Sequence, residues 1–196
     1  MNKSLFRFTF KPAVESQREL IHQWLQQDYI LEWIHGQGLQ NTLSGLEKFF
    51  QYQAKGKSLD RQAEITQHWM GYDGDKPFVY LLTSNVFKNA ANAYAKYSEL
   101  DGLAITLDIF IGDTEYVGKG LASTVIKEFL LSQFSDVSEV FIDPEKDNVR
   151  AAHVYQKVGF RVVGEFIAPW HPVPHHIMKL DMKNLRKPSQ RLDKNV

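Results

Sequence analysis

Leu103-Ala104-Ile105-Thr106-Leu107-Asp108-Ile109-Phe110-Ile111 is the most strand-like run in a chain of 196 residues. Ile105, Leu107, Ile109 and Ile111 recur with a period of two and share one face; Thr106, Asp108 and Phe110 take the other. After a six-residue connection comes Gly118-Lys119-Gly120-Leu121-Ala122. From there Leu121, Val125 and Phe129 follow at four-residue spacing, which predicts a helix from Gly118 to about Phe134. Val137 to Ile142 predicts the next strand. A strand, a crossover helix and a second strand make a right-handed parallel unit, and this unit sets the class as mixed α/β.

Outward from this unit the signals are antiparallel. Ile65–Tyr72 and Pro77–Thr83 are β-rich runs on either side of Asp73-Gly74-Asp75-Lys76, and Asp-Gly between such runs predicts a hairpin. Leu5, Phe6, Phe8 and Phe10 predict a first strand stopped by Lys11-Pro12, with Pro12 suited to the first turn of a helix over 13–27 that carries Leu20, Ile21, Trp24 and Leu25 on its buried face. Gly36-Gln37-Gly38 reads as a loop before a second helix through Leu43, Leu46, Phe49 and Phe50, capped by Thr42 or Ser44. Residues 86–101 are open between a short helix and a loop. Downstream, Asp147–Val158 predicts a helix closed by Gly159 in the left-handed conformation. Phe160–Ile167 and Ile177–Met182 predict the last strands. One domain over 1–182 is expected, followed by a basic, flexible tail over 183–196.

Composition narrows the function classes. Lys+Arg 23 against Asp+Glu 23 gives no net charge, so no basic field exists to drive nucleic-acid binding by counterion release. Hydrophobic residues at 43% and aromatics at 13% support a buried core and argue against global disorder. The absence of cysteine removes disulfides, thiolate nucleophiles and Cys-ligated metals. No run approaches a membrane span, and Arg7 and Lys11 interrupt the N-terminal segment, so a cytoplasmic location with no membrane partner is expected.

The Gly118-Lys119-Gly120 turn carries chemistry of its own. Glycines before a helix let backbone approach a ligand, and the unpaired N–H groups of a first helical turn suit a pyrophosphate. A P-loop reading fails because Gly120 stands where Ser or Thr must hold magnesium. A dinucleotide fingerprint fails because Ser123 stands where its third glycine belongs and the turn begins too far from the strand end.

Together with Asn148, Ala151, Tyr155, Gly159 and Phe160, this turn resembles the GNAT superfamily of N-acetyltransferases, with its Gly-x-Gly helix start, Asn-x-x-Ala, Tyr and Gly-Phe. Leu107–Gly112, Asp143-Pro144, Glu32-Trp33 and Asp73-Gly74 resemble the branch of aminoglycoside 6′-N-acetyltransferases and siderophore-type N-acyltransferases. The resemblance implies a twisted, mostly antiparallel sheet with one splayed parallel pair and about four helices. It implies acetyl-CoA as co-substrate, with pantetheine in the splayed gap. Ile109, Ile111, Val117, Gly118, Lys119, Gly120, Leu121, Ala122 and Asn148 would contact the donor, with Tyr155 at the thioester sulfur. Asn148 and Tyr155, seven residues apart, are expected on one helical face. Glu115 departs from the Gln or Arg common at the start of this loop and removes a cationic contact.

An aliphatic amine arrives as ammonium and must lose a proton to attack a thioester, so the site needs a base. Asp108 is the candidate, a carboxylate interrupting an apolar strand beside Phe110. Glu32, Trp33, Tyr97, Glu99 and Asp101 are candidates for binding a small cationic amine, with Tyr94 beside them; carboxylates and ring faces both suit ammonium groups. His171, His175 and His176 are separated by Pro172 and Pro174, which favour a loop, and no adjoining carboxylate cluster is evident; no metal is expected. Two other readings remain open: acylation of a hydroxylamine, as in siderophore assembly, and a non-catalytic acyl-CoA-binding module.

Overall fold

The computed structural model describes residues 6–56, 64–87, 93–99, 102–169 and 171–186. Seven strands, β1 (Phe8–Pro12), β2 (Gln67–Asp73), β3 (Lys76–Asn85), β4 (Leu103–Ile111), β5 (Val137–Ile142), β6 (Arg161–Ala168) and β7 (His171–Asp181), form one sheet in the order β1-β2-β3-β4-β5-β7-β6. Every neighbouring pair is antiparallel except β4 and β5, which are parallel and joined through α4 (Ala122–Gln133). The other described helices are α1 (Arg18–Leu25), α2 (Asp28–Leu31), α3 (Gly36–Ala54), α5 (Val149–Val158) and α6 (Met182–Arg186). Four of the six are at least eight residues long; α2 and α6 are single turns.

The two faces of the sheet are covered by different halves of the chain. On one, Val125, Ile126, Phe129 and Leu130 of α4 and Tyr155 and Val158 of α5 pack against Trp69, Leu81, Ile105, Leu107, Val140 and Met178. On the other, Ile21, Trp24 and Leu25 of α1 and Leu46, Phe49 and Phe50 of α3 pack against Met70, Tyr80, Leu82 and Phe110. The alternation of β4 thus divides its residues between the layers: Ile105 and Leu107 face α4, and Phe110, with Asp108 in phase, faces the α1–α3 side.

The predicted bounds of β4 and β5 match the structure, as does the hairpin, whose turn has Gly74 at φ +63° as its first central residue. Gly159 closes α5 at φ +119°. Elsewhere local reading is corrected. Pro12 does not start a helix but ends β1, tolerated because an edge strand can spare one N–H. The helix expected over 13–27 is a 3-10 turn (Glu15–Gln17) followed by α1, which ends at Leu25; Gln27 is extended, its side-chain amide donating to Gly112 O at 2.7 Å, and a separate turn, α2, follows it. The Gly36–Gly38 segment is the first turn of α3 rather than a loop, with Gly36 at φ +52° turning the chain inward; Thr42, inside the helix, donates to Gly38 O and caps nothing. The Gly118–Gly120 turn lies outside α4, which begins at Ala122. Pro172 and Pro174 lie in β7, not in a loop. Met182, expected to end the last strand, opens α6 instead, and residues 183–186 are helical where a flexible tail was expected: Met182 is buried, Leu185 joins the core, and Arg186 donates to Val137 O at 2.6 Å. Asp101 and residues 187–196 lie outside the described residues.

Candidate active site

β4 and β5 are paired only as far as Thr106↔Phe141. Carried two residues further, the register sets Asp108 opposite Asp143, the residue directly after β5. β4 runs on to Ile111 along β3 with its β5-side edge unpaired, so backbone groups at the C-terminal end of the parallel pair are free to bond an extended ligand. The carboxyl end of parallel strands is where ligands bind in open α/β sheets.

The Asp108 side chain is exposed to solvent yet crowded by protein near the C-terminal end of β4. Its pKa is driven well above the usual carboxylate range, first by desolvation and then by the charge of Asp143. Asp143 is raised mainly by burial, an effect opposed by a hydrogen bond from Tyr94 and by its own backbone N–H. Two carboxylates this close resist ionising together, and an incoming cation relieves both. Tyr155, buried on α5, has its hydroxyl pushed up out of the ordinary tyrosine range by burial and then by the charges of Asp108 and Asp143. It therefore keeps its proton at neutral pH and remains a donor.

The glycine turn follows the C-terminal end of β4 and leads into α4. Gly118 and Gly120 have φ of +75° and +71°, with Lys119 between them at negative φ. This alternation makes successive N–H groups converge into an anion-binding concavity. A Cβ added at either glycine meets nothing within 4 Å, so the face of the loop is open. The unpaired N–H groups of α4's first turn follow at once, and the arrangement fits a pyrophosphate. Glu115, the expected departure in this loop, is turned away: it pairs with Lys76 at 2.6 Å, and Lys76 also holds Asp113 at 2.8 Å. One lysine thus offsets both loop carboxylates. Lys119 lies over the Tyr116 ring at 5.7 Å.

The other candidates fall into two groups. Ile109, Ile111 and Leu121 are half-buried against the α4–α5 core, Val117 follows the 3-10 turn Thr114–Tyr116, and Ala122 opens α4. Asn148 is not inside α5 but is its N-cap, with Oδ1 accepting from Ala151 N at 3.0 Å, which leaves its amide NH₂ to offer a ligand. Glu32 is exposed and Trp33 half-buried in the turn after α2. Tyr97 and Glu99 also tie their segment to β6 and β7. Gly164 of β6 sits so close to Tyr97 that an added Cβ would lie 2.1 Å from its hydroxyl oxygen, and Lys179 bonds Tyr97 O at 2.9 Å and Glu99 at 3.2 Å. Buried Glu139 accepts from Ser98 Oγ at 2.6 Å and from Glu99 N at 3.2 Å. Together these contacts pin the segment that presents Tyr94 to Asp143.

Sequence reading missed Asp143 as a site residue, although its position at the end of the second parallel strand was a usable signal. It also missed that carboxylates do adjoin the histidines: Glu145 lies 3.0 Å from His171, Glu165 3.5 Å from His176, and Asp143 3.9 Å from His175.

Comparison with known proteins agrees with this geometry. A family described as an acetyltransferase (GNAT) domain matches residues 13–168. The solved aminoglycoside N(6′)-acetyltransferase of Legionella pneumophila is 47% identical, with a TM-score of 0.78 over 93% of this chain and 96% of that one. The aminoglycoside N(6′)-acetyltransferase type 1 of Klebsiella pneumoniae is 25% identical over 171 residues, 86% of this chain and 81% of its own. The structure of AAC(6′)-Ib with ribostamycin and coenzyme A shares the fold at 19% identity, with a TM-score of 0.71 over 94% and 98% of the two chains. The splayed parallel pair, the glycine turn before α4 and the matched family together lead to one conclusion: the chain belongs to the GNAT acetyltransferases.

Proposed function

We propose that this acetyltransferase, with acetyl-CoA as its acyl donor, acetylates a primary amine of a small polycationic acceptor of the aminoglycoside class, by direct transfer in a ternary complex. The observation that carries the reading is the Asp108–Asp143 pair at the end of the parallel strands: desolvation raises both carboxyls, the charge of Asp143 raises Asp108 further, and both charges act on the Tyr155 hydroxyl. The 47% identity to the Legionella aminoglycoside enzyme supports the acceptor class.

The acceptor ammonium is drawn to the paired carboxylates and offsets their repulsion. Asp108 takes its proton; a carboxylate raised toward neutrality is a stronger base than an ordinary one. The neutral amine attacks the thioester carbonyl, and Tyr155 donates a hydrogen bond toward the departing sulfur. With no cysteine in the chain to carry the acetyl group as a thioester, direct attack is the simplest route. Asp143, held by Tyr94, keeps a second negative charge beside the acceptor nitrogen. The unpaired β4 edge and the glycine turn position pantetheine and pyrophosphate, while Asn148 offers its amide NH₂.

Release of free coenzyme A, followed with a thiol reagent over aminoglycosides, polyamines, hydroxylamines and peptides, tests the reading. Release stimulated by aminoglycosides bearing a 6′-amine is the expected result. Stimulation by hydroxylamines alone would assign the siderophore-type activity, and coenzyme A binding without turnover on any acceptor would make the chain a binding module.

A further inference from the structure

We propose that His35, Glu145 and His171 form a binding site for a divalent first-row transition metal, of which zinc is the type, at the seam between the start of α3 and the β6–β7 hairpin. One ligand atom from each of these three residues lies within 4.8 Å of the others. They come from three separate parts of the chain: His35 at the N-cap of α3, Glu145 in the segment after β5, and His171 at the start of β7. Two imidazoles and one carboxylate are a donor set that zinc uses, with a further position left for water or a ligand.

The site is built on fixed backbone. Lys146 N donates to Pro174 O at 2.8 Å and His176 N to Pro144 O at 3.0 Å, so the Glu145 segment is laced to β7 on both sides of the carboxylate. Glu145 Oε1 lies 3.0 Å from His171 Nε2, yet it is shut off from solvent and makes no hydrogen bond of acceptable geometry. A buried carboxylate oxygen beside a ring nitrogen that it does not properly engage is a costly arrangement unless a third atom joins them. The His35 ring stands perpendicular to that of His171, with centroids 4.5 Å apart. In a tetrahedral site with bonds of ~2.0–2.1 Å, donor atoms lie about 3.3 Å apart; Glu145 and His171, at 3.0 Å, are already near that spacing, and the exposed His35, within 4.8 Å of both, needs to move by no more than about 1.5 Å. The neighbouring histidines have other duties: His175 Nδ1 is 2.9 Å from Asp143 O, and His176 lies beside Glu165. A bound ion would join the turn following α2 to the hairpin whose His175 contacts Asp143.

The test uses the full-length protein and does not depend on acyl transfer. Zn²⁺ is titrated calorimetrically, and Co²⁺ is followed by its visible absorption, in wild type, His35→Ala and Glu145→Gln, with circular dichroism to confirm that each is folded. One equivalent of tightly bound metal is expected, together with a rise in Tm on adding Zn²⁺ and binding weakened at least tenfold in each variant. With seven histidines in the chain, adventitious binding is the alternative outcome. Affinity and stoichiometry unchanged in both folded variants would assign the metal elsewhere and overturn the proposal, as would no binding at micromolar protein. Glu145 and His171 would then be in side-chain contact only.

Discussion

Replacing Gly120 by valine separates the fold from donor binding. Gly120 sits at φ +71°, a conformation that costs an ordinary L-residue roughly 1–2 kcal/mol, and a β-branched side chain adds to that. An added Cβ meets nothing within 4 Å, so no steric clash comes on top. For a chain of 196 residues, where each kcal/mol moves Tm by about 2–4 °C, the loss is roughly 2–8 °C and the protein stays folded. Donor binding is affected differently, because the open face of the loop is where the pyrophosphate would approach. Losing one backbone hydrogen bond to a charged group, worth ~1.5–3 kcal/mol, raises KM for acetyl-CoA about tenfold to a hundredfold. Gly56 supplies the control: φ is +67°, the space beside it is equally open, and it follows the C-terminus of α3. Gly56→Val should lose similar stability and keep its KM. The assay is steady-state coenzyme A release at varied acetyl-CoA, with thermal unfolding of both variants. An unchanged KM in Gly120→Val, or the same rise in Gly56→Val, would refute the cradle.

Asp108→Asn should stabilise the protein at about pH 8, because the wild-type carboxyl has a folded pKa raised above its ordinary value of 3.8. Stability present below that value is lost as the pH rises through the raised one, and asparagine does not titrate, so the Tm advantage should vanish toward about pH 3.5; a variant less stable than wild type at pH 8 contradicts the desolvated carboxylate. Tyr155→Phe should slow turnover less than Asp108→Asn, since a thiolate with a pKa near 8.5 leaves without full protonation; an equal or larger loss in kcat would make Tyr155 the dominant group. Lys179→Met should cost about 3–5 kcal/mol in urea unfolding, because Glu139 keeps only 2% of its side chain exposed and loses its cation at 3.5 Å. An unchanged midpoint would show that Ser98 and Glu99 satisfy Glu139 on their own.

What was legible in the sequence followed from local chemistry. The two-residue period of β4, the Asp-Gly turn and Gly159 each state a backbone preference that tertiary contacts had no reason to override. Pro12 misled because its tolerance depends on β1 being an edge strand, a fact of sheet order. The prolines of β7 misled for a related reason: their strand is made by pairing with β6, not by propensity. In the site, Asp108 was visible as a charge in an apolar strand. Its partner Asp143 was not, because it lies 35 residues away and meets Asp108 only through the register of a parallel pair. Tyr97 and Glu99 read as acceptor contacts from their residue types alone, and the Lys179–Glu139 pair that draws this segment toward β6 and β7 joins positions distant in sequence.

The central claim is that a carboxylate at the mouth of the β4–β5 gap takes the proton of an amine acceptor. Its most direct test is the turnover of Asp108→Asn against wild type near pH 7, with saturating acetyl-CoA and an aminoglycoside bearing a 6′-amine. A fall in kcat of ~10²–10⁴-fold with the fold intact is expected, the range of a positioned acid–base group. Wild-type turnover in a folded Asp108→Asn enzyme would contradict it.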